Sequence, residues 1–314
     1  MGKTGYFTHR DFWKHDMGRG HPECPERLDA IEDRLLVSGV GDALEHCEVP
    51  LATLEQLTRA HSVEHVELLE ELHQRLVADE PAGGPDHAQL DPDTSLNRFT
   101  LLAARRAAIA ATDAVIAGDI ENAFCSVRPP GHHACREQAM GFCFFNNIAI
   151  AARHALEVHG FDRVAIVDFD VHHGNGTENI LSNDPRVLMV GFFQHPFYPY
   201  SGTDHPASNM LNLPIPAYTR GMDVRELIEA IWMPRLEEFR PQMVFISAGF
   251  DAHREDDLGQ LGLTESDFAW ITGRIQDVAR RHARGRIVSM LEGGYNLDAL
   301  ARSVEAHIRV LADL

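Results

Sequence analysis

Five short apolar runs, each ending in residues that can do chemistry, constrain this chain more than any other feature of its sequence. They are 122–127 (NAFCSV), 164–170 (VAIVDFD), 187–192 (VLMVGF), 243–248 (MVFISA) and 286–291 (RIVSML). Each is rich in β-branched or aromatic residues and largely continuous in its apolar character, the pattern of a strand covered by helices on both faces. Amphipathic stretches at 26–37, 62–77, 99–117, 146–159, 223–239, 264–283 and 298–312 read as helices. Thr264 with Asp267 at capping-box spacing marks the start of one, and Asn296 precedes the last. Strands alternating with helices give an α/β fold, a parallel sheet with helices on both sides. Two irregular stretches interrupt the pattern. The first, 79–98, is rich in Pro, Gly and Asp and reads as a surface loop, because its helical neighbours bring too few strands to close a second core. The second, 194–220, holds Pro196, Pro199, Pro206, Pro214 and Pro216, and irregular stretches this long inside compact domains are usually functional. The whole of 1–314 therefore reads as one domain, large enough to bury roughly three quarters of its unfolded surface.

Charge narrows the partners. Lys and Arg number 28 against 47 Asp and Glu, a formal net charge of −19. That argues against nonspecific binding to nucleic acid or to an anionic membrane, both of which need a basic face. It favours encounter with cationic partners such as lysine-bearing peptides or polyamines. Cys24, Cys47, Cys125, Cys135 and Cys143 are odd in number and contain no CxxC pair, so no disulfide framework is expected and a reducing cytoplasm is the simplest location. The first residues lack the apolar core of a secretory signal, and no run approaches the length of a membrane helix.

In an open α/β sheet, ligands bind beyond the carboxyl ends of the strands. There, Asp168, Asp170 and His172 follow one another at spacing two, so that in extended chain they face one point. Alone they would also suit a solvated loop or an ion-pair cluster. A second strand, however, ends in Ala248-Gly249-Phe250-Asp251. Asp170, His172 and Asp251 then make three oxygen and nitrogen ligands with a fourth position left for water, the arrangement of a catalytic metal, with zinc and ferrous iron both suited. A third strand runs into Arg128-Pro-Pro-Gly-His-His133, and histidines suit proton transfer beside a metal. A fourth ends in Glu292-Gly-Gly-Tyr-Asn296, where a phenol is placed to donate to a developing oxyanion. Each of these last two has a plainer reading: buried turn histidines, and a core tyrosine with a polar tip. Four such groups after four different strands make coincidence a poor account.

These motifs, with Gly20-His-Pro-Glu-Cys-Pro-Glu-Arg27, Gly141-Phe-Cys-Phe-Phe-Asn-Asn147 and Asp168-Phe-Asp-Val-His-His-Gly-Asn-Gly176, resemble the zinc-dependent histone deacetylase family over nearly the whole chain, and its class II branch with bacterial relatives in particular. The resemblance implies an arginase-like fold, a single α/β domain with an eight-stranded parallel sheet. It implies zinc on Asp170, His172 and Asp251, and a potassium ion near the main chain of the same segment. His133 matches the general base and acid, His132 its electrostatic partner, and Asp168 the carboxylate orienting His132. Asn175 stands where some members have aspartate, which should leave His133 more neutral and the better base. Tyr295 matches the carbonyl-binding tyrosine. Gly141 and Phe142 match one wall of the acyl-lysine tunnel, and Tyr200 the other.

The implied reaction is hydrolysis of an N-acyl-lysine side chain, with an acetylpolyamine or another small amide as the alternative substrate. Only a short stretch separates Phe12 from His21, leaving little room for the long loop that narrows the pocket in many polyamine enzymes. Leu258 stands where the polyamine-selective class II member has a glutamate. Asp91 and Asp93 lie where relatives hold the substrate backbone, with the choice between them open. A binding module without turnover is disfavoured by the complete set of motifs. A binuclear manganese centre would need more ligands than His173 and Asn175 supply.

Overall fold

The computed structural model describes residues 3–79, 86–106 and 110–314. In chain order the strands are β1 (Thr4–Phe7), β2 (Glu45–Cys47), β3 (His87–Asp91), β4 (Thr94–Asn97), β5 (Asn122–Cys125), β6 (Val164–Asp168), β7 (Val187–Gln194), β8 (Met210–Ile215), β9 (Met243–Ala248) and β10 (Ile287–Leu291). Eight form one sheet in the order β2-β1-β5-β10-β9-β6-β7-β8, with every neighbouring pair parallel. The expected eight-stranded parallel sheet is present. All five apolar runs are strands, and β5, β6, β7, β9 and β10 are buried along their length.

Helices fall into two sets that cover the sheet. Glu26–Ser38, Glu265–His282 and Leu297–Leu311 pack on one another and against β5 and β9; Ala110–Ala117 and Asn147–Glu157 pack together against β1, β5, β6, β9 and β10. Both N-terminal signals are realised. Thr264 and Asp267 close a capping box, and Asn296 accepts the Ala299 N–H at 3.0 Å. The helix expected over 99–117 is seen as Thr100–Arg106 and Ala110–Ala117, with 107–109 outside the described residues.

Both irregular stretches contain strands the sequence pattern did not reveal. Within 79–98, of which 80–85 lie outside the described residues, β3 and β4 pair antiparallel as a hairpin. Within 194–220, β8 carries Pro214 opposite Phe193. It is an edge strand, where a missing N–H costs no ladder bond on the open side. All five cysteines are unpaired. Among the described residues no helix is long and apolar enough to cross a membrane.

Candidate active site

The order β5-β10-β9-β6 sets side by side the four strands whose carboxyl ends carry the motifs. Asp170 and His172 follow β6, Asp251 follows β9, and the ligand atoms of these three residues all lie within 4.8 Å of one another. His172 Nδ1 is 3.0 Å from Asp170 Oδ1 and 3.2 Å from Asp251 Oδ2. Backbone amides hold the other oxygens: Val171 N–H donates to Asp251 Oδ1 and Gly293 N–H to Asp170 Oδ2, both at 2.9 Å. Close approach of that backbone requires glycine, since a Cβ on Gly293 or Gly249 would overlap the carboxylates. Asp251 Oδ2 is buried and, beyond that 3.2 Å approach of His172, has no hydrogen bond of its own.

Two buried carboxylates facing one imidazole need a counter-charge. Burial opposes charge on His172, yet Asp170 and Asp251 push its pKa up to about 10. Asp251 is pushed up to about 7 by burial and by the charge of Asp170. Protons are poor substitutes for the cation this donor set fits. The under-satisfied Asp251 oxygen and the convergent oxygen and nitrogen donors suit a divalent metal with an open coordination position.

The histidine pair follows β5, with ring centroids 4.0 Å apart. His132 Nδ1 lies 3.0 Å from Asp168 Oδ2. Burial opposes its charge, but Asp170 and Asp168 outweigh burial and hold the imidazolium well above the ordinary histidine range. His133 Nδ1 instead lies 2.7 Å from Asn175 Oδ1. An amide oxygen only accepts, so Nδ1 carries the proton and Nε2 keeps its lone pair. Burial, then the charges of His132 and His172, press the His133 pKa well below its usual value. Adjacent imidazoles thus differ because Asp170 and Asp168 outweigh burial at His132, whereas at His133 burial and the two neighbouring histidines prevail.

Phe142 is edge-on to Tyr295 at 5.9 Å and to His21 at 4.7 Å, and its N–H donates to Thr94 Oγ1 of the hairpin at 2.9 Å. Gly141 rests on the His133 ring with φ 56°, where any Cβ would overlap the imidazole. The opposite wall differs from expectation. Tyr200 is 76% exposed, and the rings on the site are Phe197, stacked on His172 at 5.4 Å, and Tyr198, edge-on to His133 at 5.3 Å. A turn closed by the Tyr200 N–H on the Phe197 carbonyl at 2.8 Å, with Tyr200 at φ 60°, sends the third aromatic into solvent. Nothing in a proline-rich sequence without periodicity distinguishes these three rings.

Asp91 and Asp93 flank the tip of the β3–β4 hairpin, where Asp93 Oδ1 accepts from Thr94 Oγ1 at 2.9 Å. Burial and its neighbour Asp93 raise the pKa of Asp91. Leu258 is half-buried and donates its N–H to Asp256 Oδ1 at 3.0 Å. Asp256 Oδ2 accepts the N–H groups of Tyr295 at 2.6 Å and Asn296 at 2.9 Å, so one carboxylate ties the Leu258 turn to the tyrosine loop.

Several residues that build the site were not singled out from sequence. Glu292 accepts the N–H of Gly131 at 2.7 Å and of His132 at 3.1 Å, joining the β10 loop to the histidine turn. Arg27, fully buried, donates to the carbonyls of Gly294 at 2.7 Å and Glu292 at 2.5 Å, and its guanidinium lies 5.0 Å from the Tyr295 ring centre. Glu23 binds both Arg27 and Arg128. The Gly20–Arg27 motif names Glu23 and Arg27, but polar residues are ordinary at a helix start, and only their complete burial sets these two apart. A second cluster, Asp113, His154 and His159, also brings metal-type ligands together. There Arg59 Nη1 donates to His154 Nδ1 at 3.1 Å, which leaves Nε2–H to donate to Asp113 at 2.7 Å, so hydrogen bonds already occupy both ring nitrogens of His154.

Comparison with known proteins agrees with this geometry. The histone deacetylase domain family matches residues 21–311. The chain belongs to that family. It is 39% identical over 287 residues to the histone deacetylase-like amidohydrolase of Pseudomonas aeruginosa, covering 88% of this chain and 73% of that protein. It is 37% identical over 312 residues to the mouse polyamine deacetylase HDAC10, covering 92% of this chain and 44% of that one. The crystal structure of the HDA15 HD domain superposes with a TM-score of 0.90 at 32% identity, over 100% of this chain and 90% of that one. The histone deacetylase fold and a hydrolytic enzyme acting on amides follow from membership.

Proposed function

We propose that this member of the family is a zinc-dependent deacylase of N-acyl-lysine side chains. The observation that carries the reading is His133, its Nδ1 2.7 Å from Asn175 Oδ1, beside the convergent Asp170–His172–Asp251 cluster. Asp170, His172 and Asp251 would hold the zinc ion, which when bound would supply a Lewis acid for the amide carbonyl and lower the pKa of the attacking water. His133 Nε2 takes the proton from that water and later returns it to the leaving amine. His132, held as imidazolium by Asp168 and Asp170, keeps positive charge near the reacting centre without exchanging its proton. Tyr295 donates its phenolic hydrogen to the developing oxyanion. Burial raises the pKa of that phenol, and Asp251 and Asp170 raise it further against the opposing Arg27, so it stays a donor at neutral pH. Phe142, Phe197 and Tyr198 exclude water around an extended acyl-lysine chain.

Leu258, which offers no carboxylate to a second amine, supports lysine over polyamine. The similarity to a polyamine deacetylase and the Asp91–Asp93 hairpin tip favour an acetylpolyamine as the second reading. Turnover of an acetyl-lysine peptide beside acetylspermidine and acetylputrescine, with and without chelator, separates them. Chelator-sensitive kcat/KM at least about tenfold higher on the peptide is the expected result. The reverse preference would make the protein an acetylpolyamine amidohydrolase.

A further inference from the structure

We infer that Met140 and Cys135 are positioning residues that select the reactive tautomer of His133. The inference rests on the reading of His133 as the base, but its central claim concerns a hydrogen bond and can be tested without activity. An asparagine, unlike an aspartate, has two chemically different ends. If the Asn175 amide turned over, its NH2 would face His133 Nδ1, that nitrogen would have to accept, and the proton would move to Nε2. The base would then lack its lone pair. The distance of 2.7 Å between His133 Nδ1 and Asn175 Oδ1 therefore matters only if something fixes the sense of the amide.

Two sulfur atoms on the far side of the amide do so. Asn175 Nδ2 lies 3.4 Å from Met140 Sδ and 3.5 Å from Cys135 Sγ. A thioether has no hydrogen and can only accept, so the atom facing it must be the NH2. The Cys135 thiol points its own hydrogen elsewhere, towards the His133 carbonyl at 3.7 Å, which leaves a sulfur lone pair for the amide. Burial raises the pKa of that thiol, so it remains S–H and holds this role. Both sulfurs come from the segment that also carries Gly141 against the His133 ring, so one stretch of chain sets the ring's position and its tautomer. The seat is itself anchored, since His61 Nδ1 lies 3.0 Å from the Cys135 carbonyl and its Nε2 accepts the Asn146 N–H at 2.8 Å. Soft acceptors suffice because the competing arrangement sets the amide oxygen, which has no hydrogen to give, against sulfur lone pairs, so only one sense is rewarded. With a carboxylate in place of Asn175 there would be no sense to fix, and the sulfurs would have nothing to do.

That difference supplies the test. Replacing both sulfurs (Cys135→Ala with Met140→Leu) in the zinc-loaded enzyme should lower kcat about tenfold, the size of one lost hydrogen bond, with KM changed less than about twofold. In an Asn175→Asp background the same pair of substitutions should change kcat less than about twofold. Equal losses in both backgrounds would mean that the sulfurs act by packing alone, and the inference would fail. Ring-nitrogen NMR of 15N-histidine-labelled protein, with His133 assigned through His133→Gln, gives a readout that needs no turnover. The parent protein should show Nδ1–H, and the sulfur-free variant a mixture including Nε2–H. An unchanged Nδ1–H tautomer in that variant would overturn the inference whatever the enzyme's substrate, whereas a tautomer shift in an enzyme indifferent to His133 would overturn the base assignment instead.

Discussion

Glu23→Gln is the perturbation whose outcome follows most directly from the geometry. Glu23, Arg27, Arg128 and His15 are all fully buried. The Glu23 carboxylate accepts from Arg128 Nη2 at 2.8 Å, from Arg128 Nε and from Arg27 Nη1 at 3.1 Å, and lies 3.2 Å from His15 Nε2. Burial lowers the His15 pKa against the pull of Glu23, so that ring counts as neutral and the cluster carries two positive charges against one negative. A glutamine keeps the shape and removes the only anion, leaving two guanidinium groups without solvent. Breaking a buried pair from one side costs about 3–5 kcal/mol. Arg128 keeps the Phe12 carbonyl at 2.7 Å and the His15 carbonyl at 3.1 Å, and Arg27 keeps those of Gly294 and Glu292, which places the loss near the lower end. Denaturant unfolding at neutral pH should therefore show about 3 kcal/mol lost. Turnover should fall as well, because Arg27 lies under Tyr295. The pH dependence has a definite sign. Burial alone would raise the Glu23 pKa, but Arg128 and His15 hold it well below the ordinary 4.5. Its contribution is therefore present above that value and lost as pH falls through the folded pKa, and the glutamine variant should lack this acid limb. A loss under about 1 kcal/mol, the level of an exposed pair, would refute the reasoning.

Other outcomes are equally specific. Tyr295→Phe should lower kcat on an acetyl-lysine peptide about 100-fold with a small change in KM, as steady-state kinetics will show. Metal affinity should rise about tenfold per pH unit between 7 and 10 and more steeply below 7, because a cation must displace protons from His172, at about 10, and Asp251, at about 7; competition titrations with a chromophoric chelator measure the slope. Gly293→Ala should abolish tight zinc binding, because its methyl group would occupy the space of the Asp251 and Asp170 carboxylates; metal content after dialysis reports it. Tyr198→Ala should lower kcat/KM, while Tyr200→Ala, altering a ring in solvent, should leave it within about twofold.

The central strands and the polar residues beyond their carboxyl ends were legible in the sequence for one physical reason. A strand buried on both faces must be apolar throughout, so β5, β6, β7, β9 and β10 stand out, and any polar residue at their carboxyl ends is there for a purpose. Asp170, His172, Asp251, His133 and Tyr295 could be found in that way. The edge strands could not: β2 and β8 are half-exposed, and β8 tolerates Pro214. The β3–β4 hairpin is likewise only half-buried along β3 and sits in a stretch whose Pro, Gly and Asp content reads as loop. Sequence order also gives no strand order. Only the folded sheet, by inserting β10 and β9 between β5 and β6, sets four distant motifs around one point. The choice of Phe197 and Tyr198 over Tyr200, the grip of Arg27 on the tyrosine loop and the sense of the Asn175 amide depend on contacts between segments far apart in the chain. Residue type fixes what each group can donate, accept or ligate, but which group it meets is decided by tertiary packing.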